Sequence, residues 1–248
     1  MRMLLLCGVL LLSSAQAVAD EVKIAVASNF LSAFRVIKSQ FEHNTGHKIL
    51  LSSASTGKLF AQITHGAPFE IFMAADNSRP KMLEDDGLAI PGSRYLYAKG
   101  RLVLWSASAT MVGKDCRKQL EVGQFNRLSI ANPKTAPYGE AARQALKKMG
   151  LWDSIKPKLV RGENIGQTFQ YVITGNAELG IVALSQVLDP KNTLTTCRWD
   201  IPAEYYESLD QELVVLKSAE NNPSASEFIR FLKTDTAKKI IAENGYGI

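Results

Sequence analysis

The sequence predicts an α/β protein with an open, mainly parallel sheet flanked by helices, arranged as one large domain or as two lobes. β-type runs alternate with amphipathic helical stretches along the chain, a pattern typical of an open, mainly parallel sheet. A long extended run at 95–106, broken at Gly100, can cross from one lobe to the other. The length of 248 residues suits one large domain or two lobes, and 46% hydrophobic and 21% charged residues are ordinary for a globular protein.

The predicted elements follow one another in a regular order. Apolar β-type runs predict strands at 22–27, 48–53, 70–75, 95–106, 128–131, 159–160, 179–184 and 205–217. Apolar residues at helical spacing predict helices with faces at 30–41, 59–63, 82–83, 141–149, 169–173, 226–232 and 236–243. Asp76 is expected to cap the helix that stops at Gly87. Because ligands of such sheets bind beyond the carboxyl ends of the strands, the segments that follow the strands are the candidates for a site.

Residues 1–19 have the pattern of a signal peptide. Arg2 supplies the positive start, 4–12 form the apolar run, and small residues surround a cleavage site near Ala17 or Ala19. The sequence therefore predicts an exported chain. Cys7 leaves a lipoprotein as an alternative, disfavoured because this cysteine precedes most of the apolar run.

Two cysteines, Cys116 and Cys197, remain after the signal peptide. An even number of cysteines in an oxidising compartment permits one disulfide, and two buried thiols are the alternative. We expect the disulfide, because export makes pairing favourable wherever the geometry allows it.

Charge and motif content argue against several classes of function. The net charge of +5 is mild, and no basic stripe interleaved with aromatic residues suggests a nucleic-acid partner. The histidines, His43, His47 and His65, lie near turns, and Gly46 interrupts the one four-residue spacing, so no metal site is expected. No Gly-x-Ser-x-Gly elbow or acid–base constellation is present, so we expect neither an enzyme nor a cofactor.

Four segments share one construction, in which small or hydroxyl residues stand between a β-type run and a helix. They are residues 27–30, 54–58, 136–139 and, less clearly, 164–167. A helix start carries N–H groups without partners and the positive end of the helix dipole, and small residues there let an anion approach closely. If two lobes bring these segments face to face, they form a cage of neutral donors for a small dianion.

Each segment taken alone has a simpler explanation. Ser28 and Thr56 are also favourable N-cap residues, which bond to the N–H groups of their own helix. The stretch after Ser55 resembles the end of a Walker A loop, but Ser52 stands where that loop needs Gly, and Leu59 replaces its magnesium-binding hydroxyl.

The cage hypothesis gains support from missing carboxylates. Residues 28–34 and 54–60 contain no Asp or Glu. A monoprotonated phosphate needs an acceptor for its proton, whereas sulfate, molybdate and tungstate need donors only. Glu140 and Glu163 are the acids nearest to the later segments, and they would be the acceptors if phosphate did bind.

Five stretches together resemble one protein family, namely the periplasmic molybdate-binding proteins of ABC importers. The stretches are KIAVASNFLSAF, SSASTGKLFAQITHGAPFEIFMAADNSRPKML, LSIANPKTAPYGEAARQALKKMGLWD, LGIVALSQV and SASEFIRFLKTDTAKKIIAENGYGI. Their order and spacing extend the resemblance over nearly the full length after the signal peptide. The resemblance implies a two-lobed type II periplasmic-binding fold. Each lobe would have a mainly parallel sheet flanked by helices, with a hinge of crossing strands and a tetrahedral oxyanion held between the lobes.

The resemblance also implies a set of ligand-binding residues. Ser28 matches the first hydroxyl ligand, with Asn29 beside it as a further donor. Thr56 keeps a hydroxyl where the family usually has Ser, and Tyr138 and Ile165 fall at positions that donate from the backbone N–H.

One position departs from the family pattern. Ala183 stands where many members have a Tyr whose phenol binds an oxyanion oxygen. The hydroxyl of Tyr138 can compensate, or one donor is lost and the site is altered.

These observations together predict a periplasmic solute-binding protein that captures molybdate, and tungstate with it, and delivers it to an ABC permease in the inner membrane. We expect a monomer with lobe I at 20–98 and 201–248 and lobe II at 99–200. The main alternative is a receptor for sulfate or another tetrahedral oxyanion. An enzyme on the same scaffold and the sensing domain of a transcription regulator are less favoured, the latter because of the signal peptide and the lack of a helix-turn-helix.

Overall fold

The computed structural model describes residues 20–248, so the predicted signal peptide, its cleavage site and Cys7 lie outside the described residues. The strands are β1 (Glu21–Ala27), β2 (Lys48–Ala54), β3 (Ile71–Met73), β4 (Tyr95–Gly100), β5 (Leu102–Ser106), β6 (Leu128–Ala131), β7 (Leu159–Gly162), β8 (Leu179–Ala183), β9 (Cys197–Asp200) and β10 (Leu209–Val215). The helices are α1 (Leu31–Thr45), α2 (Thr56–Thr64), α3 (Ser78–Asp85), α4 (Cys116–Val122), α5 (Pro137–Lys148), α6 (Trp152–Ile155), α7 (Ile165–Ile173), α8 (Leu184–Val187), α9 (Pro223–Leu232) and α10 (Asp235–Glu243).

The strands form two five-stranded mixed sheets with the same pattern. The first has the order β2-β1-β3-β10-β4, and the second has the order β7-β6-β8-β5-β9. In each sheet a central strand pairs in parallel with two neighbours, β1 with β2 and β3, or β6 with β7 and β8. One strand in each sheet, β10 or β5, is antiparallel to both of its neighbours. The predicted α/β fold with two lobes is confirmed.

The chain crosses between the sheets at two places. β4 belongs to the first sheet and β5 to the second, with Arg101 alone between them, as the extended run predicted. The return crossing leads from β9 to β10. The backbone packs closely at the first crossing, because a Cβ atom at Gly100 would collide with the Tyr138 hydroxyl and lie 2.7 Å from the Gln211 amide nitrogen.

The inner strands of each sheet are buried on both faces, which explains their apolar runs in the sequence. In β1, Val22, Ile24 and Val26 join one core cluster, whereas Ala25 joins the cluster on the opposite face. Helix α1 adds the predicted apolar face, with Phe41 packing edge-on against Phe228 at 5.4 Å. Four such clusters enclose the two sheets and hold the strand ends in place.

The structure differs from the predicted elements near the second crossing. The predicted extended run 205–217 becomes a 3₁₀ turn at Ala203–Tyr205 followed by β10, which begins only at Leu209. Tyr205 instead packs edge-on against Trp199 of β9, at a ring distance of 6.4 Å. A tertiary contact therefore outweighs the local strand preference of these residues.

Cys116 and Cys197 form a disulfide in the structure. Their Cα atoms lie 5.6 Å apart, and the bond ties the start of α4 to the start of the edge strand β9. No helix within residues 20–248 is long and apolar enough to cross a membrane.

Candidate functional site

A small cavity lies where the carboxyl ends of the parallel strands of both sheets meet. It is small: the centre of a water-sized sphere can reach only about 10 Å³ of it, close to the space that one water molecule needs. Its lining contains no charged side chain and includes all five residues named in the sequence analysis as ligand-binding candidates. The lining residues are Ala27, Ser28, Asn29, Ser55, Thr56, Ala75, Ala136, Pro137, Tyr138 and Ile165.

The first lobe contributes hydroxyl groups at two helix starts. Ser28 opens a 3₁₀ turn, Ser28–Phe30, that leads into α1, and its side chain bonds to no N–H of that turn. Thr56 is the first residue of α2 and is buried. The Thr56 hydroxyl accepts a hydrogen bond from the Ala75 N–H at 3.1 Å, so its own proton is left to donate. These residues do not serve as the side-chain caps that the simpler explanation required.

Sequence reasoning did not select Ser55, which also lines the cavity. Ser55 is only 2% exposed, and its hydroxyl has no hydrogen-bond partner among the described residues. It occupies the N-cap position of α2 without making a cap bond. A buried hydroxyl without a partner costs about 1–3 kcal/mol, a cost that a bound acceptor would remove. The pair of adjacent hydroxyl residues, Ser55 and Thr56, was the available signal in the sequence.

The second lobe presents backbone N–H groups from two helices that point their N-termini at the cavity lining. Tyr138 lies in the first turn of α5, whose first residue is Pro137. Ile165 begins α7, and Asn164 caps that helix by accepting a bond from the Gln167 N–H at 2.9 Å. First-turn N–H groups have no partner within their helix, so both helices offer donors together with the positive ends of their dipoles.

The Asn29 side chain faces a buried polar network. Its Nδ2 atom donates to Gln211 Oε1 at 2.9 Å and to the Tyr246 hydroxyl at 3.1 Å, which uses both of its N–H bonds. The backbone N–H of Asn29, in the first turn, is the donor that this residue has left for a ligand.

The Tyr138 hydroxyl belongs to the same network. It accepts a bond from Gln211 Nε2 at 3.2 Å and lies against Gly100 at the crossing between the lobes. Burial raises the pKa of the phenols of Tyr138, Tyr97 and Tyr246 above the ordinary tyrosine value, so these hydroxyls stay protonated and neutral.

Ala183, the position that departs from the family pattern, ends β8 and is fully buried. It is not among the residues that line the cavity, and its N–H donates to Gln186 Oε1 at 3.1 Å.

Glu140 and Glu163, the acids named in the sequence analysis, are each paired with a cation outside the cavity lining. Glu140 forms an ion pair with Arg143 in α5. Glu163 pairs with Lys58 at 2.6 Å, and both of these side chains are about half exposed. The cavity is therefore surrounded by donors without a carboxylate acceptor in its lining. Within residues 20–248 no group of three or more His, Cys, Asp or Glu side chains is arranged to hold a metal ion.

Two sheet-and-helix lobes joined by crossing strands, with a small neutral donor cavity between them, define a two-lobed solute-binding protein. The family model described as bacterial extracellular solute-binding protein matches residues 22–247. The chain belongs to this family.

Relatives with assigned names match along nearly the whole chain. The molybdate-binding protein ModA of Azotobacter vinelandii is 47% identical over 247 residues, with 100% of this chain and 97% of that protein covered. ModA of Rhodobacter capsulatus is 40% identical, with 93% and 89% covered. The solved structure of the Azotobacter vinelandii periplasmic molybdate-binding protein has a TM-score of 0.87 at 37% identity, covering 92% of this chain and 99% of that one. These proteins are binding proteins by name, and the type II periplasmic-binding fold of this chain is confirmed.

Proposed function

We propose that this chain captures molybdate, and tungstate with it, in the periplasm and delivers the anion to an ABC permease. The observation that carries this proposal is the convergence of Ser28, Asn29, Thr56, Tyr138 and Ile165 on one small cavity with no charged side chain in its lining. The ModA proteins of Azotobacter vinelandii and Rhodobacter capsulatus, 47% and 40% identical to this chain, are named as molybdate-binding proteins and support molybdate as the anion. We further propose that the chain acts as a monomer and divides into lobe I at 20–98 and 201–248 and lobe II at 99–200.

The donors in the cavity are sufficient for tight binding without a countercharge. Three hydroxyls, from Ser28, Ser55 and Thr56, and the N–H groups of Asn29, Tyr138 and Ile165 give six candidate donors. A hydrogen bond to a charged partner contributes about 1.5–3 kcal/mol. Five or six such bonds exceed the ordering costs by enough for micromolar affinity or better, about −8 kcal/mol.

The same lining selects against anions that carry a proton. Hydrogen phosphate would bury an O–H group with no carboxylate to accept it, at a cost of about 1–3 kcal/mol. Sulfate has the charge of molybdate but is smaller, so it would leave stretched hydrogen bonds.

Isothermal titration of the mature protein with molybdate, tungstate, sulfate and phosphate tests the proposal. We expect micromolar or tighter binding of molybdate and tungstate, weaker binding of sulfate, and no competition from phosphate at equal concentration. Phosphate that competes equally would contradict a donor-only site, and sulfate that binds more tightly than molybdate would make the chain a sulfate receptor.

A further inference from the structure

Tyr246, near the C-terminus, is fixed to the first lobe by two independent contacts. The next residue, Gly247, forms a two-way backbone bridge with Lys99 of β4, with N–O distances of 2.7 and 2.9 Å. The Tyr246 ring packs edge-on against Phe30 at 5.2 Å, within the core cluster of the first sheet. The position of its hydroxyl is therefore set by the first lobe.

The Tyr246 hydroxyl reaches across to the second lobe. It lies 2.9 Å from Ser185 Oγ in α8, which follows β8 of the second sheet, and 2.7 Å from the carbonyl oxygen of Asn29. Ser185 Oγ also donates to the Asn29 carbonyl, at 3.1 Å. All three residues are at least 94% buried, so these bonds are shielded from water. The Tyr246–Ser185 and Ser185–Asn29 bonds join the two lobes directly behind the cavity.

These bonds act on a residue of the anion cavity itself. Asn29 lines the cavity, its amide group donates to the Tyr246 hydroxyl, and its carbonyl oxygen accepts from Ser185 Oγ. Each hydroxyl has one proton, so when Tyr246 donates to Ser185 Oγ, Ser185 donates in turn to the Asn29 carbonyl oxygen. If the lobes separate, Ser185 moves away from Tyr246 and Asn29, and this arrangement is lost.

We propose that Tyr246 is a positioning residue that links closure of the lobes to anion affinity, through its hydroxyl bond to Ser185. The proposal rests on the proposed function. It assigns to Tyr246, which does not line the cavity, an effect on the affinity of the cavity for its anion. A two-lobed binding protein binds tightly only to the extent that its ligand and its own contacts favour the closed state. The bond between Tyr246 and Ser185 is one such contact.

Tyr97 offers a matched control. Its buried hydroxyl lies 2.8 Å from the Ala74 carbonyl oxygen and 3.1 Å from Gln211 Oε1, and these partners belong to the first lobe. Tyr97→Phe and Tyr246→Phe each remove one buried hydroxyl from the same network, but only Tyr246→Phe removes a direct bond between the lobes.

The test compares the wild-type protein, Tyr246→Phe, Ser185→Ala, the double variant and Tyr97→Phe. Sodium molybdate is the titrant, and the measurements are calorimetric Kd, stopped-flow dissociation rate and the Tm of the ligand-free protein. We expect Tyr246→Phe to raise Kd by about tenfold, mostly through faster dissociation, as one lost hydrogen bond implies. Its ligand-free Tm should fall no further than that of Tyr97→Phe, whose Kd should change by less than about threefold. The double variant should bind about as weakly as Ser185→Ala alone, because Ser185→Ala already removes the bond to Tyr246.

Small-angle scattering gives a readout that loss of stability alone would not move. The Tyr246→Phe protein should need about tenfold more molybdate than wild type to reach the same contraction. Wild-type Kd in Tyr246→Phe, or equal changes in Kd for Tyr246→Phe and Tyr97→Phe, would overturn the linkage and leave the proposed function standing. If Tyr246→Phe does not fold, Ser185→Ala tests the same bond from the second lobe. A wild-type protein that binds none of the four oxyanions would overturn both proposals.

Discussion

The hydroxyl groups that line this cavity differ in their hydrogen bonds, although all of them occupy similar positions in the sequence. Thr56 already accepts one bond from Ala75, Ser55 has no partner, and Ser28 forms no cap bond. Each is a serine or threonine at a helix start. The differences arise from residues far along the chain and not from the local pattern.

Removal of two hydroxyls should affect binding more than folding. For the double variant Ser28→Ala, Thr56→Ala, we expect molybdate binding to weaken by about 3 kcal/mol, the value of two charge-assisted hydrogen bonds. The free energy of unfolding should fall less, because a cap residue contributes about 1 kcal/mol and neither side chain makes a cap bond here. Calorimetry and denaturant unfolding measure the two effects. Unchanged affinity in a folded double variant would refute the assignment of these ligands.

Comparison of Ser55 with Ser224 tests whether the Ser55 hydroxyl binds the anion. Both are buried serines near a helix start, and both have a hydroxyl without a partner among the described residues, but Ser224 lies in α9 and outside the cavity lining. Ser55→Ala should weaken molybdate binding by about 1.5–3 kcal/mol, whereas Ser224→Ala should leave it unchanged. Equal affinities of the two variants in calorimetry would show that the Ser55 hydroxyl does not bind the anion.

At the scale of residues, the sequence predicted where the cavity residues lie but not which residues form hydrogen bonds with them. Small and hydroxyl residues after strands predicted where the cavity would form, because helix starts and strand ends are local features. The engagement of the Asn29 amide by Gln211 and Tyr246 joins residues 182 and 217 positions apart. No local spacing encodes contacts of that range.

At the scale of elements, strands with long apolar runs were predictable, and short exposed ones were not. β8 is wholly buried and β1 is buried from Ile24 onwards, and both have the apolar runs that predict strands. The edge strand β9 alternates between half-buried and exposed positions, and it follows no apolar run. It pairs with β5, and that partnership defines it as a strand. The helix α4, which the sequence did not predict, begins at Cys116 and is capped by Asp115, whose side chain accepts from the Lys118 N–H.

The disulfide between Cys116 of α4 and Cys197 of β9 joins two elements and should stabilise the folded protein. In thiol-blocked mature protein, mass measurement before and after reduction should show Cys116 and Cys197 paired. The double variant Cys116→Ser, Cys197→Ser should lower the free energy of unfolding by about 2–4 kcal/mol, because the bond closes a loop of 81 residues. Molybdate affinity should stay the same, since neither cysteine lines the cavity. Two free thiols without reduction would contradict the pairing.

At the scale of the whole molecule, both crossings and several contacts bring the lobes together around the cavity. The Gly57 N–H donates to the Thr135 carbonyl at 2.9 Å, and the Ser32 hydroxyl donates to Asp189 at 2.7 Å. A Cβ atom at Gly57 would lie 2.9 Å from the Thr135 carbonyl oxygen, so this approach requires glycine. These contacts and the Tyr246–Ser185 bond each join a residue of the first lobe to a residue of the second. The two lobes were predictable from the order of elements, but the contacts that close them were not, since each joins segments far apart in sequence.

The three buried tyrosine phenols of the network should make the free energy of unfolding of the whole protein fall at alkaline pH. Burial raises the pKa of Tyr97, Tyr138 and Tyr246 above the value of about 10 that tyrosine has in an unfolded chain. Their contribution to stability is therefore fully present below pH 10. Above pH 10 the unfolded chain releases protons that the folded protein retains, and stability falls by up to about 1.4 kcal/mol per pH unit for each such group.

Denaturant unfolding at several pH values between 8 and 11.5 measures this loss. We expect the free energy of unfolding to decline more steeply with pH in the wild-type protein than in Tyr97→Phe, which lacks one of the three buried phenols. The comparison isolates the phenol, because lysines titrate in the same range in both proteins. Molybdate affinity should stay constant from pH 7 to pH 9, since the donors in the cavity are hydroxyl and backbone N–H groups and the three phenols remain protonated there. Parallel stability curves for the two proteins above pH 10 would show that the Tyr97 phenol ionises without unfolding, and would contradict its buried, neutral role in the network.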